Sequence, residues 1–414
     1  MKPRHVWVVG AGLSGLSAAI NLRRADIGIT IRDSAAQAGG RCRSYHDPQL
    51  GLTIDNGNHL VLSGNEAVAR FLAAMGAPRR FDGPDHAEFA FCDLGTGARW
   101  RIALNDGPLP WWFLVPSRRL PGTGVADYLP LRRLMRDEGG AIPVGGIQAN
   151  PVWTRLIEPV LLAALNTAPA ESSARLGAAI LRETIGRGGR ACRPMIASPS
   201  LGAALIDPAL SWLSERESPV GLGRRLKAII FGPDRVIGLD WGDGVETIGE
   251  NETVLLAVPP WVATALIPGL SAPQQMRAIV NGHFAITPPP GRPPMLGLLG
   301  GTAEWLFAFP DRISTTVSAA DRLIDEDREA LARRFWADIC AAYDIDAPMP
   351  RWQIVKEKRA TFAATPEQDA LRPAAATRWR NLFLAGDWTD TGLPATIEGA
   401  LRSGETAANL AMAA

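Results

Sequence analysis

The stretch Arg4 to Asp33, RHVWVVGAGLSGLSAAINLRRADIGITIRD, constrains this chain more than any other. A short apolar run, Val6 to Val9, leads into Gly10-x-Gly12-x-x-Gly15, and Leu16 to Arg24 continues with helical spacing. The pattern predicts strand, tight turn, helix. Gly10 permits the turn, Gly12 lets a pyrophosphate approach the backbone, and Gly15 lets the helix pack against the strand. The N–H groups at the helix start, Ser14 among them, and the positive end of its dipole would then face phosphates. A second strand, Ile27 to Ile31, is followed by Asp33, about where an acidic side chain would bind an adenosine ribose. Strand, helix, second strand and acid together predict dinucleotide binding.

With 414 residues the chain is long enough for two domains, each with its own core. Its formal net charge of +1 offers no broad field to nucleic acid. Four of its basic residues are lysines: Lys2, Lys227, Lys356 and Lys358. The cysteines, Cys42, Cys92, Cys192 and Cys340, form no CxxC pair, which predicts free thiols in a reducing, cytoplasmic compartment and no metal site. The first strand begins at the N-terminus, so no signal peptide is expected, and no uninterrupted apolar segment is long enough to cross a membrane.

After the second strand comes Gly39-Gly40-Arg41-Cys42-Arg43. Behind a dinucleotide unit, this loop is expected to close over the pyrophosphate, with Arg41 as charge partner. Next is Ile54-Asp55-Asn56-Gly57-Asn58-His59, where Asn56-Gly57 reads as a turn. Residues 66 to 76 form a short amphipathic helix ended by glycine. GPLPWWFLVP, from Gly107 to Pro116, is an aromatic run broken by prolines that cannot be a helix interior. It reads either as core filling or as an apolar lip that admits a lipid or touches the inner face of a membrane.

Pro151 to Leu181 is helical in pattern, with a break at Asn166 to Pro169, and suggests a separate substrate domain. Arg235 to Leu239 and Thr253 to Ala257 read as strands, residues 276 to 318 as a sheet walling a cavity, and Ala320 to Asp344 as one helix. Asn381 to Ala385 is a buried-looking strand ended by Gly386-Asp387, and a carboxylate there suits a ligand hydroxyl. Pro394 to Ala400 opens a last helix, whose amides around Ile397 could stabilise an anionic ligand edge. Glu398 in its first turn reads as a dipole-stabilising carboxylate.

The order of these motifs resembles the flavin-dependent amine oxidase and desaturase superfamily, and the resemblance implies FAD. It implies an α/β fold: a Rossmann-like FAD-binding domain from residues 1–75, 220–268 and 375–414, interleaved with an α+β substrate domain from 76–219 and 269–374. It also implies that a strand valine, here Val236, meets the adenine through its backbone, and that Gly57, Asn58 and His59 lie beside the isoalloxazine. Amine oxidases usually place a lysine near flavin N5 in the region that here spans 270 to 300, and an aromatic residue before the flavin contact of the last helix. This chain has no lysine there and has Thr396 before Ile397, which speaks against amine oxidation.

The chain more closely resembles the squalene-associated FAD-dependent family, the hydroxysqualene dehydroxylases. The match covers nearly the whole chain: DNGNHL at 55–60, LNT at 165–167 followed by SSA, VSAADRLI at 317–324, EKRATFAATP at 357–366 and LAGDWTDTGLPATIEGALRSGE at 384–405. Asn58 stands where the family usually has Gln, Cys42 where it has Ala, and Asp33 where it often has Glu. The resemblance implies that hydroxysqualene, a lipophilic C30 isoprenoid, becomes squalene at the expense of reduced flavin, next to the synthases upstream. Dehydroxylation needs a proton donor and a dry cavity. His59 is the first candidate for the acid, and Thr361 and Arg359 are candidates to orient the substrate. An oxidative isoprenoid desaturase is the rival reading, and an FAD-bearing channelling partner of the synthases the non-enzymatic one. The reductant is not identified.

Overall fold

The computed structural model describes residues 5–78, 80–136 and 139–414; Lys2 and Arg4 lie outside them. Two sheets carry the architecture. In chain order their strands are β1 (His5–Val9), β2 (Gly28–Arg32), β3 (Glu88–Asp93), β4 (Arg99–Ala103), β5 (Glu252–Leu256), β6 (Met276–Phe284), β7 (Met295–Leu299), β8 (Trp305–Phe309), β9 (Arg312–Val317), β10 (Trp352–Phe362) and β11 (Leu382–Leu384). The helices used below are α1 (Leu13–Arg24), α2 (Glu66–Met75), α3 (Ala174–Glu183), α4 (Arg328–Tyr343) and α5 (Ile397–Ala413).

The first sheet is parallel, in the order β11-β5-β1-β2, with Val6 paired to both Thr253 and Ile29. Parallel strands need crossovers and helices on their faces, so their side chains are buried on both sides. Val6, Val8, Leu255 and Leu384 are accordingly closed to water. Three glycines let the backbone close up at the β1–α1 turn and at the α1–α5 crossing. A Cβ on Gly10 would stand 2.3 Å from the Ala257 oxygen, one on Gly15 1.9 Å from the Gly10 oxygen, and one on Gly404 2.2 Å from the Ser14 oxygen. At that crossing the Ser17 hydroxyl also donates to the Leu401 carbonyl at 3.0 Å.

The second sheet has seven strands in the order β10-β6-β9-β8-β7-β3-β4. Its pairings are antiparallel except β7 with β3. One face packs on α4, whose Leu331, Phe335 and Ile339 are fully buried. The helix expected over 320–344 is in fact two pieces, a short turn at Ala320–Leu323 and then α4. Asp327 is the reason: its carboxylate accepts the Ala330 N–H at 3.0 Å and starts α4 there. Between Arg277 and Ile279 of β6 the register with β10 slips, so Lys358 to Ala360 bulge from the ladder. Bulges re-aim side chains and free backbone groups beside sites.

Candidate active site

Three loops converge where β1, β5 and β11 end. The turn after β1 is held by Asp33, whose carboxylate accepts the Ala11 N–H at 2.7 Å and the Ala35 N–H at 2.7 Å. The Gly39-Gly40 loop bonds onto the same turn, the Gly39 N–H reaching the Ala11 oxygen at 2.9 Å. Arg41 then reaches across the molecule. It donates to Asp387 at 2.7 Å and to the Ala360 carbonyl at 2.6 Å, the carbonyl freed by the β10 bulge. The expected partners of phosphate and ribityl groups thus form a salt bridge with each other.

The Asp55–His59 segment follows. Asp55 is buried and accepts from Ser44 at 2.5 Å and from the Leu201 N–H at 3.0 Å. Asn56 bridges Arg43 at 2.6 Å and Glu357 at 3.0 Å. The Asn58 amide donates to the Thr315 carbonyl at 3.2 Å and the Thr316 hydroxyl at 3.1 Å, and Thr316 donates to Asn281 of β6 at 2.8 Å. His59 is half-buried. Its Nδ1 is 2.8 Å from the Gly57 carbonyl. Burial lowers its pKa; the bond to Gly57 opposes this and the Arg41 charge adds to it. A neutral ring that donates Nδ1–H to a carbonyl keeps Nε2 as an acceptor.

Thr361 is buried on β10, and its oxygen accepts from the Asn166 amide at 2.9 Å. The two family motifs that contain Asn166 and Thr361 therefore meet. Arg359 points elsewhere: it is exposed and stacks over the Trp261 ring at 4.7 Å. Beyond Asp387, Arg372 is buried and donates to the Asp387 and Thr389 carbonyls at 3.3 and 2.5 Å. Asp369 binds both Arg372, at 3.1 Å, and Arg175 of α3, at 2.5 Å. Ile397 is buried at the start of α5, which Thr396 caps by accepting the Gly399 N–H at 3.0 Å.

The residues fit a flavin dinucleotide. A Cβ on Gly12 would meet no atom within 4 Å, so the second glycine borders open space where the first and third border backbone. Arg41 keeps 39% of its side chain accessible while its guanidinium is held by Asp387. Asn58 Oδ1 and Asn281 Nδ2 are buried without a partner among the described residues, a state that buried polar atoms seldom keep in the absence of a bound group.

Both backbone groups of Val236 meet the Asn381 side chain, the N–H at 2.8 Å and the carbonyl at 3.0 Å. The segment beside the end of β2 is Val220–Gly223, with the Gly221 N–H on the Ile31 oxygen at 2.9 Å and the Asp33 N–H on the Gly221 oxygen at 2.9 Å. One sequence expectation needs correction. Glu398 serves not its own helix but the start of α2, accepting the Ala67 and Val68 N–H groups at 2.9 and 3.2 Å while Arg402 holds it at 2.9 Å. Sequence reading also missed Asn281, Asn381 and Arg372. Asn281 had one available signal: a polar residue directly after the apolar run Ala278–Val280 of β6.

Comparison with known proteins agrees with this geometry. The model of the flavin containing amine oxidoreductase family matches residues 13–412. A hydroxysqualene dehydroxylase of Rhodopseudomonas palustris is 52% identical over 99% of both chains, and one of Sinorhizobium fredii is 48% identical over 99% of both. A putative protoporphyrinogen oxidase from Exiguobacterium shares the fold, with a TM-score of 0.69 at 16% identity over 99% of this chain and 98% of its own. The chain is therefore an FAD-dependent oxidoreductase that belongs to the flavin-containing amine oxidoreductases and, within them, to the hydroxysqualene dehydroxylase family.

Proposed function

We propose that the protein converts hydroxysqualene to squalene by reductive dehydroxylation, as a step of squalene and hopanoid synthesis that takes a C30 alcohol from upstream synthases at a membrane. The observation that carries this is the near-complete overlap with relatives of that name at 45–52% identity. The site supports it in having no lysine on β6 and a large apolar cluster that includes Phe362, Leu165 and Trp388.

Bound and reduced, FAD supplies the hydride for the carbon that loses its hydroxyl. The glycine turn, the Gly39-Gly40 loop and the Asp33 edge with Val220–Gly223 hold the dinucleotide half, while Arg41, Asp387, Gly57, Asn58 and the start of α5 hold the flavin half. Residues 1–75, 220–268 and 375–414 thus work as one cofactor domain, and 76–219 with 269–374 as the substrate domain. The apolar cluster keeps water from a long hydrocarbon. Thr361, whose oxygen accepts from Asn166, has its hydroxyl hydrogen free for a hydrogen bond that orients the alcohol. His59 is the candidate acid: its Nδ1 is held by the Gly57 carbonyl, and its Nε2, once protonated from solvent, passes the proton to the hydroxyl that leaves as water, the burial that lowers its pKa making the imidazolium a stronger acid. Arg359 is permanently charged and so cannot be the acid.

The direction of electron flow tests the proposal. Anaerobic photoreduced enzyme mixed with hydroxysqualene should regain its oxidised flavin spectrum and form squalene, with deuterium from N5 on the former carbinol carbon. Reduced enzyme that stays reduced, beside oxidised enzyme that bleaches with squalene or another polyene, would replace dehydroxylation by desaturation.

A further inference from the structure

The fold leaves an apolar cluster bare on one short stretch: Leu109 (78% exposed), Trp111 (47%), Leu114 (55%), Val125 (39%) and Leu129 (67%). They form one patch. Phe113 stacks on Tyr128 at 5.3 Å and Trp112 meets the same ring edge-on at 5.3 Å, which joins the turn Trp111–Leu114 to the turn Val125–Tyr128. The patch is rooted rather than frayed, since Trp112 is 2% exposed and gives its N–H to Asn105 at 3.1 Å, while the Tyr128 hydroxyl accepts the Leu120 N–H at 2.9 Å. Sequence alone left this aromatic run as core or lip; the structure divides it, burying Trp112 and turning Trp111 and Leu114 outward.

Cations stand beside these tips. Arg118 lies over the Trp111 ring at 4.9 Å, Arg119 donates to the Phe113 carbonyl at 3.3 Å, and Arg132 and Arg133 are exposed just past Leu129. The acids of residues 106–136 are Asp106 and Asp127, and Asp127 caps its own turn by accepting the Gly124 N–H at 2.7 Å; Asp137 and Glu138 follow outside the described residues. No described helix is long and apolar enough to cross a membrane, so contact with a bilayer would be in its plane.

We propose that this patch docks the protein on an anionic lipid surface, with Trp111, Leu114 and Leu129 entering the headgroup layer and the arginines at the phosphates. Large apolar tips next to arginines with long apolar stems suit an interface of that kind. Trp112 beneath the patch belongs to the same continuous apolar cluster as Phe362, which adjoins Thr361. This gives the patch a role that rests on the hydroxysqualene reading: it is the outer end of the path by which a water-insoluble C30 chain enters.

Flotation of the FAD-loaded protein with vesicles tests the docking. Wild type should rise with vesicles of phosphatidylcholine and phosphatidylglycerol and far less with phosphatidylcholine alone or in high salt. Trp111→Ser/Leu114→Ser/Leu129→Ser should cut the floated fraction by about tenfold or more through lost apolar insertion, with Tm and flavin content unchanged. If that variant misfolds, Arg118→Glu/Arg132→Glu gives the same readout through charge. Equal flotation of wild type and variants overturns the proposal, as does wild type that ignores phosphatidylglycerol vesicles yet binds an upstream synthase through these residues. Turnover separates this from the functional reading. The triple variant should lose rate on hydroxysqualene held in vesicles and keep it in detergent micelles; no turnover by wild type in micelles would remove the dehydroxylase reading and leave the flotation result standing.

Discussion

The cofactor cradle and the wall of the substrate cavity are built from different materials. In the cradle, backbone rests on backbone: Gly10 on Ala257, Gly15 on Gly10 and Gly404 on Ser14, each leaving no room for one added carbon. In the wall, side-chain amides span the gaps. Asn58 and Asn281 join the Asn56–His59 loop to β6 and β9, and Asn166 joins β10 to the loop before α3. A cradle of contacting main chain fixes where a shared cofactor lies, whereas a wall of exchangeable amides can be refitted to a new substrate without moving the backbone.

The largest test of that contrast is Gly15→Val. With a Cβ site 1.9 Å from a backbone oxygen that cannot move, its cost should exceed the roughly 1–3 kcal/mol of ordinary overpacking and leave no folded protein in expression trials. Next is Glu398→Ala, which strips α2 of its buried cap; chemical denaturation should show a loss of about 2–4 kcal/mol. Glu304, in the loop before β8, provides a test in pH. Burial raises its pKa to about 7 against the Ser318 N–H and Arg322, which lower it. The folded state then binds a proton more readily than the unfolded one, so stability should fall as pH rises from about 4.5 to 7, by on the order of 2–3 kcal/mol in all. Glu304→Gln should flatten that slope, and an unchanged slope would show the carboxyl is not its source.

Smaller effects sharpen the comparison. Asn381→Ala should cost about 1–3 kcal/mol, because three backbone groups lose a buried partner, yet leave flavin uptake measurable by absorbance. The least stability change is expected from Gly12→Ala. Its φ of −73° suits any residue and its Cβ meets nothing, so Tm should hold within about 0.5 kcal/mol of stability while FAD uptake falls. If Gly12→Ala destabilised the apoprotein as Gly15→Val does, the division between contacts for folding and space for binding would collapse.

The same division explains what could be read in advance. The α/β class and the glycine turn were legible because their constraint is local: a residue with no Cβ at fixed spacing means close approach wherever it folds. Asp33 was singled out by local spacing too, although what the fold shows of it is a carboxylate that holds the Ala11 and Ala35 N–H groups. For Val236, strand pattern shows that a backbone is extended but not that a side chain from 145 residues away will share its hydrogen bonds. Glu398 was read against its own helix although its partners lie on α2, and the meeting of Arg41 with Asp387 joins opposite ends of the chain. Distances of that kind come only from the assembled fold. The motif pair at 165–167 and 357–366 showed that both segments matter without showing that one amide and one hydroxyl connect them.

The order of strands in the parallel sheet also sets a timetable. β1 and β2 leave the ribosome first, but β1 needs β5 at its side and β5 needs β11, which lies at Leu382–Leu384. At about 5–20 residues per second, the nascent turn around Gly12 waits roughly 20–80 s for its last neighbours. During that time the apolar faces of β1 and β2 are exposed, and no nucleotide can be held between two ends of a chain of which one does not yet exist. Loading with cofactor must then follow release, and newly made protein should depend on chaperones and on free FAD at that moment more than the finished enzyme ever does.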